Sequence, residues 1–115
     1  DFVQFTYNIV DREAENYLLP LALEKKISVI ANRPFQGGKL LKYVKNKNLT
    51  NTAIGLGIKS WPEYFLKFII SSPQITCTIP ATSSKDHMIE NMTGLYGNIP
   101  DKSDRYKLLK EFMQV

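Results

Sequence analysis

The chain has 115 residues, of which 43% are hydrophobic and 23% charged, with a formal net charge of +4. That length allows one domain, residues 1–115, or a piece of a larger one. The composition excludes a disordered segment, and the longest apolar run, YFLKFII, is broken by Lys67 and too short to span a bilayer. One cysteine, Cys77, excludes an internal disulfide framework and favours a reducing, cytoplasmic setting.

The first segment, Phe2–Asn8 (FVQFTYN), alternates apolar with polar residues and is rich in aromatics, which predicts a strand. The chain thus opens inside a strand, with no initiator methionine or signal pattern, as a processed or partial chain would. Asp11 is placed to cap a helix running to about Lys25, with Ala14, Leu18, Leu21 and Ala22 on one face. Pro20 inside that helix predicts a kink or a local break, because it removes a backbone hydrogen bond. Ile27–Asn32 (ISVIAN) has the continuous apolar character of a buried parallel strand.

A loop follows at RPFQGG, and a short helix is expected around Leu40–Val44. TAIGLGIKS contains Gly55 and Gly57 but lacks the third glycine of a dinucleotide fingerprint, so it is expected to be a connector or a poor helix. The clearest helix is SWPEYFLKFIISS. Ser60 caps it, Pro62 lies in its first turn and Glu63 completes a capping box. Trp61, Phe65, Phe68 and Ile69 share one face, a packing stripe. Gln74–Pro80 is a third strand, in which Cys77 is a small buried residue. Ser84–Met92 is a helix after it, and Asp104–Gln114 a last amphipathic helix with Tyr106, Leu109 and Met113 inward. Strands alternating with helices predict βαβ units and a parallel sheet.

Lys39, Lys42, Lys45 and Lys47 form a basic stretch. Only Tyr43 is interleaved, so a stacking platform for nucleic acid is absent and a solvated face is the simpler reading. In parallel α/β folds, ligands bind beyond the carboxyl ends of the strands. Gln4–Asn8, Asn32–Gly38 and Ile79–Lys85 occupy that position, each turning polar or small where the apolar run stops. The third stretch also feeds a helix N-terminus, where anions bind well.

VQFTYN, VIANRPFQGG and TIPATSSKDHMIENM, in this order, resemble the last three βα units of the aldo/keto reductases, and WPEYFLKFIISSPQITCTIP is similar to the helix and strand joining the last two. The resemblance covers essentially the whole chain. It implies the C-terminal three βα units of a (β/α)8 TIM barrel plus a C-terminal helix, an incomplete barrel, since a complete one takes roughly 250 residues. It also implies an oxidoreductase context, with NADP(H), or NAD(H), as cofactor and a small carbonyl as substrate. By position, Gln4 would bond the nicotinamide carboxamide, and Asn32, Arg33, Pro34, Phe35 and Gly37 would lie along the nicotinamide and pyrophosphate. Ala81, Thr82 and Ser83 match the turn around the ribose 2′-phosphate, His87 a position often filled by Arg or Gln, and Glu90 and Asn91 the residues at the adenine edge.

Three departures accompany the match. Asn32 stands where the family has a stacking aromatic. Arg33 brings a permanent charge and five donors, suited either to a ligand anion or to a surface carboxylate. The family's catalytic Asp, Tyr, Lys and His belong to earlier strands, and Tyr7, His87 and the lysines of this chain do not match them. The chain alone is therefore expected to be inactive, to come from a longer enzyme, or to pair with a missing N-terminal barrel half or a second copy. The alternative is a non-catalytic binding or scaffold module reusing the barrel segment.

Overall fold

The computed structural model describes residues 2–79 and 99–115. Three strands, β1 (Phe2–Thr6), β2 (Ser28–Asn32) and β3 (Cys77–Ile79), form one parallel sheet in the order β1-β2-β3. Gln4 pairs in register with Ile30 and Thr6 with Asn32; on the other side Ile30 pairs with Cys77 and Asn32 with Ile79. Because side chains alternate across a strand, Val29 and Ala31 face one side and are fully buried, with Thr78 beside them, while Gln4, Thr6, Ile30 and Asn32 share the other. The expected helix at 84–92 lies outside the described residues.

β1 stops at Thr6, two residues short of the predicted end. Tyr7 still donates its N–H to the Asn32 carbonyl (3.3 Å), but Asn8 turns the chain. Its Oδ1 accepts from the N–H groups of Val10 (3.0 Å) and Asp11 (2.8 Å), and its own N–H donates to the Asp11 carbonyl. An asparagine that satisfies the backbone locally in this way ends a strand.

The predicted first helix is two pieces. A 3-10 turn, Glu13–Asn16, is followed by a break at Tyr17 and then α1 (Leu18–Glu24). Asp11 caps neither. The expected local break is present, at Tyr17: Pro20 sits in the first turn of the restarted helix, where its missing N–H would have no intrahelical acceptor, so the chain breaks before it rather than kinking at it. The restart also resets the buried face: Ala14, Leu19 and Ala22 point inward, whereas Leu18 is 42% exposed.

After β2 come α2 (Lys39–Tyr43), α3 (Asn51–Gly55) and α4 (Trp61–Ile70). α3 is better formed than Gly55 within it and Gly57 beyond it suggest. The Thr50 hydroxyl accepts from the Ala53 N–H (3.4 Å), and the Glu111 carboxylate, arriving from the last helix, accepts from the Thr52 N–H (3.1 Å) and the Thr52 hydroxyl. Ser60 caps α4 as predicted, accepting from the Glu63 N–H (3.3 Å), but Glu63 reaches back to the Lys59 N–H (3.2 Å), one residue outside the predicted capping box. Nor is α4 one-sided. Residues 63–69 are all buried, and Glu63 and Lys67 form an ion pair at 3.1 Å with each side chain 5% exposed.

α5 (Lys102–Phe112) is capped by Asp101, whose carboxylate accepts from the Asp104 N–H (2.8 Å). It buries Leu108 and Phe112, while the predicted inward residues Tyr106 and Met113 are 61% and 71% exposed. The inward face is set by what α5 meets. Phe112 stacks edge-on with Phe65 at 5.6 Å, and the Tyr64 hydroxyl donates to the Leu108 carbonyl at 2.5 Å. Burial raises the Tyr64 hydroxyl from 10.0 to about 12, against the lowering effect of its hydrogen bond with Thr50 and with a further raising contribution from the Glu111 charge.

Candidate functional site

The carboxyl ends of β1 and β2 are tied together by one residue. Asn8 is fully buried, and beyond its turn-forming Oδ1 it donates from Nδ2 to the Arg33 carbonyl at 2.9 Å. Every polar group of that side chain is thus engaged, as burial requires, and the loop after β1 is fixed against the loop after β2.

Arg33 opens that second loop with a left-handed backbone (φ +53°), and Gln36, Gly37 and Gly38 are left-handed in succession (φ +53°, +64° and +92°). Such a φ is costly for residues with a Cβ, and Gly37 shows a second reason for being glycine. A Cβ there would stand 3.3 Å from an Arg33 guanidinium nitrogen, so the exposed cation lies directly over this bare stretch of backbone. Pro34 is buried, and Phe35 packs against Phe65 with ring centroids 6.3 Å apart, so these two anchor the loop to the helical layer. Gln4 is exposed and Asn32 half-buried on the open side of the sheet, where the Thr6 hydroxyl donates to Asn32 Oδ1 at 3.0 Å. The structure therefore brings Asn32, Arg33 and Gly37 to the end of β2 and places Gln4 on the neighbouring strand, one turn of the pleat before its end. Thr82, Ser83, His87, Glu90 and Asn91 lie outside the described residues.

These groups can hold an anion or an amide. Arg33 supplies a cation beside a close-approach glycine, and Gln4, Thr6 and Asn32 supply hydrogen-bonding side chains of either polarity. Among the described residues no cluster of metal-ligating side chains occurs, and no helix is long and apolar enough to cross a membrane.

A second polar cluster lies within the helical layer. The Tyr7 hydroxyl bonds Glu15 and receives Arg105, whose guanidinium also reaches Glu15 (2.9 Å), the Ser71 hydroxyl (3.0 Å) and the Phe68 carbonyl. Burial, then the Glu15 hydrogen bond, push the Tyr7 hydroxyl well above its ordinary range, against the opposing Arg105 charge. A tyrosine so held keeps its proton, and the cluster stitches α5 to the end of β1. The basic stretch stays on the surface: Lys39, Lys42, Lys45 and Lys47 are exposed, with Lys47 over the Tyr43 ring at 5.1 Å.

Thr6 and Asn8 fall in the strand-end stretch Gln4–Asn8 but had no individual role there. Thr6 shares strand parity with Gln4, and Asn8 precedes Asp11 by the three residues of a side-chain-closed turn; either signal was available.

No protein-family profile matches the chain, and neither does any curated protein. Solved structures do. The chain is similar to an aldo-keto reductase from Klebsiella pneumoniae in complex with NADPH, at 22% identity and a TM-score of 0.75 over 96% of this chain and 39% of that one. It is similar to a thermostable aldo-keto reductase in complex with the inhibitor epalrestat, at 21% identity and a TM-score of 0.74 over 93% of this chain and 38% of that one. The holo form of an aldo-keto reductase from Bacillus halodurans gives 18% identity and a TM-score of 0.72 over 94% and 41%. The chain thus has the fold of part of an aldo-keto reductase and spans about 40% of the length of these relatives in structure.

Proposed function

We propose that this chain is the cofactor-binding, C-terminal part of an NAD(P)H-dependent aldo/keto reductase: the last three βα units of the barrel and a closing helix. The observation that carries this reading is the Asn8 bridge. It ties the loop that follows Gln4 and Thr6 to the loop that carries Arg33 and Gly37, which supports a shared ligand face at these two neighbouring strands. The likeness to a structure in complex with NADPH supports the choice of ligand. A bound nicotinamide dinucleotide would supply or accept a hydride; the chain's own residues would hold it. Gln4 and Asn32 bind and orient the nicotinamide end, and Arg33 with the Gly37 backbone neutralises the pyrophosphate, while Pro34 and Phe35 keep that loop seated. Thr82, Ser83 and His87 are assigned to the ribose 2′-phosphate, and Glu90 and Asn91 to the adenine. The group that moves a proton to the carbonyl oxygen belongs to earlier barrel strands, supplied by a preceding segment or a partner chain, so the chain alone reduces no small carbonyl.

Fluorescence titration with NADPH tests this. The chain should bind it, with Arg33→Ala and Ser83→Ala each weakening binding about tenfold or more, in keeping with lost charge-assisted hydrogen bonds. Unchanged affinity in both variants would sink the assignment.

A further inference from the structure

We infer that Thr6 is a positioning residue: it fixes the polarity of the Asn32 amide so that Asn32 donates to, and Gln4 accepts from, a primary carboxamide on the ligand. This rests on the nicotinamide reading above and extends it. Thr6 and Asn32 are register partners on the open side of the sheet, and the hydroxyl sits 3.0 Å from Asn32 Oδ1. Two oxygens at that distance share one proton, which is the threonine's, so the amide oxygen is committed inside the protein. The Asn32 Nδ2 group has no hydrogen-bond partner among the described residues, and the side chain is half-buried, so its two protons face the open side.

One strand over, Gln4 stands in register with Ile30, two residues before Asn32, and is exposed. A primary carboxamide carries one acceptor oxygen and one donor nitrogen. With Asn32 restricted to donating, the ligand oxygen goes to Asn32 and the ligand nitrogen to the Gln4 oxygen.

The test compares NADPH with 2′-phospho-ADP-ribose, which lacks the nicotinamide, by calorimetric titration of the full chain. Thr6→Val, which keeps the shape and removes the hydroxyl, should weaken NADPH roughly fivefold to tenfold, as loss of one oriented hydrogen bond does. It should leave 2′-phospho-ADP-ribose unchanged, and Thr6→Ser should restore NADPH binding. Asn32→Asp keeps the threonine bond while deleting the donor, and should weaken NADPH alone by at least as much. Equal weakening of both ligands, or of neither, in Thr6→Val and Asn32→Asp would overturn the positioning role. Failure of the unaltered chain to bind either ligand would overturn the nicotinamide reading itself.

Discussion

The two sides of the sheet have been put to different uses. On one, Val29 and Ala31 are fully buried and Thr78 nearly so, beside a helical layer in which the Phe65 ring lies 5.6 Å from both Trp61 and Phe112. On the other, the same strands present Gln4, Thr6 and Asn32, exposed or half-buried and mostly polar. The covered side holds the chain together. The open side contributes little to stability and carries the groups that can meet a ligand. Alternation at a period of two is what allows five-residue strands to do both.

Five substitutions, one of them read by alkaline titration, would break or sharpen that contrast. The largest effect is expected on the covered side: Phe65→Ala, emptying a fully buried ring site, should cost about 4 kcal/mol by urea denaturation. Next is Asn8→Ala, which strips partners from two N–H groups and the Arg33 carbonyl, at about 3 kcal/mol. If Asn8→Ala were neutral, the strand-end loops would not be fixed as described.

Alkaline titration probes the covered side again. Tyr64 is raised from 10.0 to about 12 in the folded chain, so its contribution is complete below pH 10 and declines as pH rises through about 12, because only the unfolded state ionises readily in that window. Tyr64→Phe should flatten the stability curve there. Gly37→Ala is smaller, about 1 kcal/mol for a Cβ at φ +64°, but it should also displace Arg33 and weaken NADPH. Smallest in stability is Gln4→Leu, within about 0.5 kcal/mol. Its measurable effect should be confined to nucleotide affinity, and a large stability loss would contradict the division between the two sides.

Much of this was legible in the residues. ISVIAN read as a parallel strand, though only Val29 and Ala31 of it are buried, and SWPEYFLKFII as a capped helix, because apolar runs and local capping chemistry are written in a few adjacent positions. What stayed hidden depended on distant partners. The break at Tyr17 moved the buried face of the first helix from Leu18 to Leu19. The inward face of α5 follows from Tyr64 and Phe65, more than forty positions earlier, so periodicity alone favoured Tyr106 and Met113 over Leu108 and Phe112. Glu63 read only as a capping-box residue and Lys67 only as a break in an apolar run; that they form a buried ion pair was hidden, since nothing in one helix reveals what covers it. At the site, Gln4, Asn32 and Arg33 were visible as strand-end residues, whereas the Asn8 bridge joins residues 25 positions apart and appears only in three dimensions.

The clasp of Glu111 on Thr52 has a consequence in time. Five residues are too few to pay the nucleation cost of a helix alone, and the carboxylate that completes the first turn of α3 lies 59 positions later in the chain. During synthesis α3 therefore emerges long before its clasp exists, and it should gain helical structure only once α5 has left the ribosome and docked. Kinetically, this places α3 among the last elements to form, with φ-values near zero at Thr52 however early the α4 aromatics assemble.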